Sequence, residues 1–441
     1  VLRAFTQAFR TPDLRKKILF TVAIIALYRL GTTVPAPGVD YTIVQTCFKQ
    51  ASSAGGVYGL LNLFSGGALL QLSVFALGIM PYITASIIVQ LLVVVIPRFE
   101  ELKKQGQAGQ TKLTQYTRYL TIALGILQST AIVALARSGK LFSQAGLTCD
   151  NPLPDMSIFR LSTLVLTMTA GTAVIMWLGE LITERGVGNG MSILIFTSII
   201  ARSPAQGWAI LKTAGPYGGT AIVVMAVLII TFVIFVEQAQ RRIPVQYAKR
   251  MIGRRMYGGT STYLPMKVNQ AGVIPVIFAS SLLYVPYLLT NLFKNQTTGV
   301  VGFIQRNLIN TTGSPKPGYL IVYVALIFFF TYFYVAITFD TREVSDNMKK
   351  YGGFIPGIRP GRPTAEYLDY IQSRLTFPGA IFLAIVAVLP FVVASFFKGI
   401  SAGGDFLLGG TALLIVVGVG LDTVKQIDSQ LMLRNYEGFL R

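Results

Sequence analysis

Few side chains in this sequence could carry bond-making chemistry. The 441 residues include no histidine, which removes imidazole acid–base catalysis and histidine-ligated metal sites. The two cysteines, Cys47 and Cys149, have no metal-binding spacing. The run Gly186-Val187-Gly188-Asn189-Gly190 resembles a phosphate loop only superficially, since no strand precedes it and no Walker sequence exists. A tight turn is its expected role. Ion or proton coupling needs ionisable groups inside the bilayer. Glu180, Glu184 and Asp422 all fall at the ends of apolar segments, and no acid lies near the middle of one. Neither a Ser–Lys nor a paired-Asp constellation occurs inside them. No cofactor and no metal are expected.

Uncharged residues remain. Ile79, Ile83 and Ile87 recur every four positions and so share one helix face; packing or lipid contact is the ordinary use of such a stripe. Thr84, Gln128 and Asn269 are polar residues within apolar segments, and membrane helices commonly use such groups for interhelical hydrogen bonds.

The elements that must hold these residues are membrane spans. Hydrophobic residues make up 53% of the chain and charged ones 13%, against roughly 25% charged in a soluble protein. Charge-free segments long enough to span are 74–96, 119–136, 161–179, the short 186–201, 213–236, 268–293, 317–339, 375–397 and 406–421, after a first span at 18–34 that Arg29 interrupts. Arg29 is expected to snorkel to the interface. The basic amino-terminal stretch runs straight into span one, as a first span does and a cleavable leader does not. Residues 50–96 carry no charge at all. Their first half is diluted by Asn, Ser, Gln and paired glycines, so 60–72 is expected to be a half-helix folded back into a protein-lined cavity.

Lys and Arg concentrate on the side that holds the amino terminus, which places both termini in the cytoplasm. Five spans lie in 1–212 and five in 213–441, which makes the second half the inverse of the first and predicts a pathway between them. Fold class is therefore all-α and polytopic, with ten spans plus the half-helix. The basic loops 237–267 and 340–374 are rich in glycine and proline and read as shaped protrusions. A net charge of +20 either serves topology alone or also binds anionic partners such as lipid headgroups or RNA.

The sequence resembles the SecY family at Phe64-Ser65-Gly66-Gly67-Ala68, at Phe75-Ala76-Leu77-Gly78-Ile79-Met80-Pro81-Tyr82-Ile83, and at Gly179-Glu180-Leu181-Ile182-Thr183-Glu184-Arg185-Gly186. Further matches are Gln240-Arg241-Arg242-Ile243-Pro244, Gly272-Val273-Ile274-Pro275-Val276-Ile277-Phe278 and Pro356-Gly357-Ile358-Arg359-Pro360-Gly361. The resemblance implies a protein-conducting channel of the bacterial plasma membrane. It also implies two inverted halves around an hourglass pore, ringed by Ile79, Ile83, Ile195, Ile277 and Ile415. By the same resemblance Phe64, Ser65, Gly66, Gly67 and Ala68 centre a plug, and Thr84, Gln128 and Asn269 form a polar cluster at a lateral gate. Arg254, Arg255 and Arg359 would dock the motor ATPase SecA or the ribosome. Other implied partners are the small subunits SecE and SecG, unfolded preproteins with their signal peptides, and anionic lipids.

A solute transporter is the competing reading, disfavoured by the missing mid-span acids. An intramembrane enzyme is the third, disfavoured by the missing catalytic groups. Cys47 and Cys149 both fall on the non-cytoplasmic side by the charge count, where disulfides persist. They could close a loop of about 100 residues, worth about 4–5 kcal/mol by chain entropy, or be two unrelated thiols.

Overall fold

The computed structural model describes residues 9, 11–40, 42–44, 65–69, 71–137, 157–247, 250–252, 255–257, 261–292, 317–396 and 410–439. Helices dominate. In order they are α1 (Pro12–Thr33), α2 (Met80–Val95), α3 (Pro97–Lys104), α4 (Gln107–Arg137), α5 (Ile158–Arg185) and α6 (Gly190–Gln238). After four short strands come α7 (Ile274–Leu292), α8 (Pro317–Thr338), α9 (Thr341–Lys350), α10 (Arg362–Phe396) and α11 (Gly410–Phe439). Among the described residues five helical stretches are long and apolar enough to cross a membrane, within α4, α5, α8, α10 and α11, and the bent α2–α3 pair makes a sixth.

Local sequence explains the breaks. Proline at 97 disfavours helical backbone at the residue before it; Ile96 is extended (φ −105°, ψ 113°), and α2 and α3 meet at 99°. Asn189 caps α6 by accepting from the Met191 and Ser192 amides, and Asp340 caps α9 from Arg342 and Glu343. These oxygens satisfy amides that have no partner inside the first turn. Residues 186–190 thus form the expected turn.

Three differences from the sequence reading stand out. The described part of the 60–72 segment, together with 74–79, is a chain of turns; no regular helix forms there, and α2 begins only at Met80. A helix repeats φ near −63°, whereas Gly66, Gly67, Leu72 and Gly78 all have positive φ. The turns are tied to the end of α1 instead: Ala36 N donates to Leu72 O at 3.1 Å and Val74 N to Val34 O at 3.0 Å. Secondly, 190–201 of the short expected span and all of 213–236 belong to one continuous helix, α6, of 49 residues. Backbone hydrogen bonding continues through the stretch expected to be a loop.

Thirdly, the loop at 237–267 folds into strands. β1 (Gln240–Tyr247) pairs antiparallel with β4 (Ser261–Lys267), while β2 (Arg250–Ile252) and β3 (Arg255–Tyr257) form a ribbon beyond them. β5 (Gly353–Phe354), from the second basic loop, joins β1 on its other side, giving the order β4-β1-β5. Ile243 and Val245 are buried between exposed neighbours, the period of a strand with one covered face. Ile243 packs with Met266, Ile355, Leu368 and Ile371 in a small core of its own.

The main core is one apolar cluster drawn from α1, the 65–79 turns, α2, α4–α8, α10 and α11. α7 touches both α2 and α4, and α6 touches α1, α5 and α11. Elements from the two chain halves therefore meet along a seam.

Candidate functional site

A cavity of about 400 Å³ opens between α2, α4, α5, α6 and α7. Its lining changes character with the element that supplies it. α2 contributes Tyr82, Ile83, Ser86 and Gln90, of which 82, 86 and 90 follow the four-residue repeat of one face. Arg118, Glu180, Thr183, Glu184, Asn189 and Ser192 make a polar wall, and Ile83, Ile195, Ile274, Ile277 and Phe278 supply apolar surface.

The wall is held by a bidentate ion pair. Arg118 Nε donates to Glu180 Oε1 at 2.9 Å and Nη2 to Oε2 at 2.7 Å, while Nη1 reaches Gln115 Oε1 at 3.1 Å. The planar fork fixes orientation as well as contact, and it staples α4 to α5. Sequence alone does not pair these two residues, because they lie on different helices.

All five isoleucines lie in the same buried cluster. Ile83 and Ile277 are each 9% exposed, whereas Ile79 and Ile415 are 2% and 1%. Ile83, Ile195 and Ile277 reach the cavity; Ile79 and Ile415 do not line it. The aliphatic side of the cavity offers an ion no ligand, and water no partner.

Ser65–Leu69 is packed close by. Ser65 and Ala68 are buried, and Ser65 Oγ accepts from Leu69 N at 3.1 Å. Phe64 lies outside the described residues. Arg29 does not snorkel: its half-buried guanidinium donates from Nη1 to Gly66 O at 3.3 Å. A carbonyl turned toward α1 by the left-handed backbone at Gly66 (φ +65°) gives the charge a partner inside the protein. Next to it, Tyr28 Oη and Ser198 Oγ are 2.7 Å apart. A charged residue inside an apolar span was the available signal.

Thr84, Gln128 and Asn269 do not hydrogen-bond as a cluster in any contact seen among the described residues. Thr84 Oγ1 bonds back to Met80 O at 3.0 Å within α2, Gln128 is buried in α4, and Asn269 lies in the turn before α7. Asn269 Nδ2 donates to Glu237 Oε2 at 2.9 Å and to Gly272 O at 3.1 Å. The turn aims the amide at the end of α6. Glu237, one residue past the expected 213–236 span, is buried, and desolvation pushes its pKa above the ordinary value although the Asn269 bond and Lys267 pull the other way. The helices that carry Thr84 and Gln128 do meet α7.

Arg255 opens β3 and Arg254 lies outside the described residues, as do Cys47 and Cys149. Arg359 is exposed in the loop after β5, where its carbonyl accepts from Thr364 Oγ1 at 2.9 Å.

Membrane-crossing helices that pack into one apolar core, with a cavity among them that is polar on one wall and aliphatic on another, define a polytopic membrane protein of the channel-forming kind. The chain belongs to the SecY family, whose model matches residues 73–424. It is 60% identical over 445 residues to the protein translocase subunit SecY of Streptomyces scabiei, covering 100% of both chains. Against the protein of the same name from Mycobacterium bovis it is 62% identical over 449 residues, again covering 100% of both. Its fold is that of solved channels: a protein-conducting channel (TM-score 0.62, 18% identity, 94% of this chain and 91% of the other), and Sec61 in a canine ribosome–channel complex (TM-score 0.60, 16% identity, 94% and 91%).

Proposed function

We propose that this chain is the pore-forming subunit of a protein-conducting channel. It passes unfolded secretory polypeptides across the plasma membrane and releases apolar segments sideways into lipid. The carrying observation is that Ile83, Ile195 and Ile277, from α2, α6 and α7, line one cavity together with a polar wall, in a chain of this family. Aliphatic side chains suit such a pore because they exclude water and ions, yet their rotamers adapt to a passing chain of any sequence. No catalytic step is assigned to the chain, and energy comes from a partner.

In this reading 1–212 and 213–441 are inverted halves, and both termini are cytoplasmic. Ser65–Ala68, with Phe64, belong to the plug. The seam between α2, α4 and α7 is the lateral gate. Arg254, Arg255 and Arg359 lie on cytoplasmic protrusions that receive SecA or the ribosome, and SecE, SecG and anionic lipids complete the working complex. The β4-β1-β5 sheet, with its own apolar core, supports a docking role because it presents the basic loops on a rigid base.

The test is reconstitution with the two small subunits in vesicles. Added SecA and ATP should move an unfolded secretory precursor into a protease-protected space. Precursor that binds but never becomes protected, with an active motor present, would overturn the reading.

A further inference from the structure

We infer that Arg29 is a latch that holds the 65–69 turn closed against α1 and α6, through a single bond to a backbone carbonyl. The inference deepens the proposed channel function and rests on the plug reading of that turn. An arginine inside an apolar span is retained only where it has a partner or a function. Here its described partner is Gly66 O, 3.3 Å from Nη1. That bond runs between two parts of the molecule with different duties, the scaffold helix α1 and a turn without regular structure.

Gly66 is what makes the contact fit. Its φ of +65° is a backbone state that side chains with a Cβ adopt at a cost. An added Cβ would also lie 3.0 Å from Arg29 Nη1 and 3.4 Å from Ser198 Cα. The turn is thus pressed into the angle between α1 and α6. The neighbouring Tyr28–Ser198 bond fixes that angle independently. Ser198 lies three residues beyond Ile195, one turn further along the same face of α6, so the latch closes next to Ile195, which lines the cavity. A bond of this length is at the long end for an N–H donor, as suits a contact that must break in each cycle.

The experiment reads the turn directly, apart from transport. Cys47 and Cys149 are replaced by serine, and a reporter thiol is placed at Ala68, which is fully buried. A control thiol is placed at Ala380, equally buried in α10. The assembled complex in vesicles is treated with N-ethylmaleimide, and ion leak is measured in parallel. Arg29→Met should label roughly tenfold faster at 68, the scale of one lost charge-assisted hydrogen bond, with no change at 380. Arg29→Lys should fall between. Gly66→Ala should also accelerate labelling, and the double variant should be no faster than the faster single.

Unchanged labelling at 68 in both folded single variants overturns the latch. Equal acceleration at 68 and 380 overturns it too, because the change is then general loosening. Faster labelling at 68 without added ion leak keeps the latch and removes the turn's role as a seal.

Discussion

At the residue scale the isoleucines divide into two kinds. Ile83 and Ile277 border the cavity, whereas Ile79 and Ile415 are enclosed by the apolar cluster. Truncating a buried isoleucine costs about 2–5 kcal/mol, so substitution acts on both seal and stability. Ile83→Gly and Ile277→Gly should raise resting ion conductance with the smaller loss of thermal stability. Ile79→Gly and Ile415→Gly should leak and also melt markedly earlier. Planar-bilayer conductance and melting in detergent separate the two effects, and unchanged conductance in all four would remove the seal role. In the sequence the isoleucines are marked by family motifs and by the four-residue stripe in α2. Arg29 is visible there only as an oddity, because its carbonyl partner has no side-chain signature.

At the element scale the informative contact joins the end of α6 to the turn before α7. Glu237 is buried against Asn269, and its folded pKa lies above the ordinary 4.5. A raised carboxyl pKa means that the folded state binds the proton more tightly than the unfolded chain. Stability from this group therefore increases as pH falls through the folded pKa, levels off below about 4.5, and is lost as pH rises. Glu237→Gln should abolish that part of the dependence. Hydrogen exchange of the β1–β4 hairpin across pH 5 to 8, wild type against variant, reads it, and identical profiles would refute the assignment. The strands leave little trace in the sequence. Only Ile243 and Val245 show the two-residue period, since one face of β1 packs on a five-residue core and the rest is charged or exposed.

At the scale of the whole molecule the proposed exit for apolar segments is the seam where α7 meets α2 and α4. A short crosslinker between cysteines introduced at Ser86 and Phe278, which line the same cavity from α2 and α7, should stop transfer of an apolar segment into lipid. It should leave ion conductance at rest unchanged. Site-specific photocrosslinking of the segment to lipid measures the release, on a background lacking Cys47 and Cys149. Continued release through the tethered seam would place the exit elsewhere.

Membrane residence, the apolar stretches within α4, α5, α8, α10 and α11, and the family motifs follow from the amino-acid sequence. Each depends on local composition, and a bilayer converts composition directly into position. Tertiary structure decided the rest. In the described part of 60–72, turns stand in place of the expected half-helix, because left-handed residues there and a pair of backbone bonds to the end of α1 outweigh apolar content. Arg29 turns inward because a carbonyl from a distant segment is presented to it. Asn269 bonds Glu237 because the turn before α7 aims it there. Such partners are far apart in the chain, and no local pattern records which of them folding brings together.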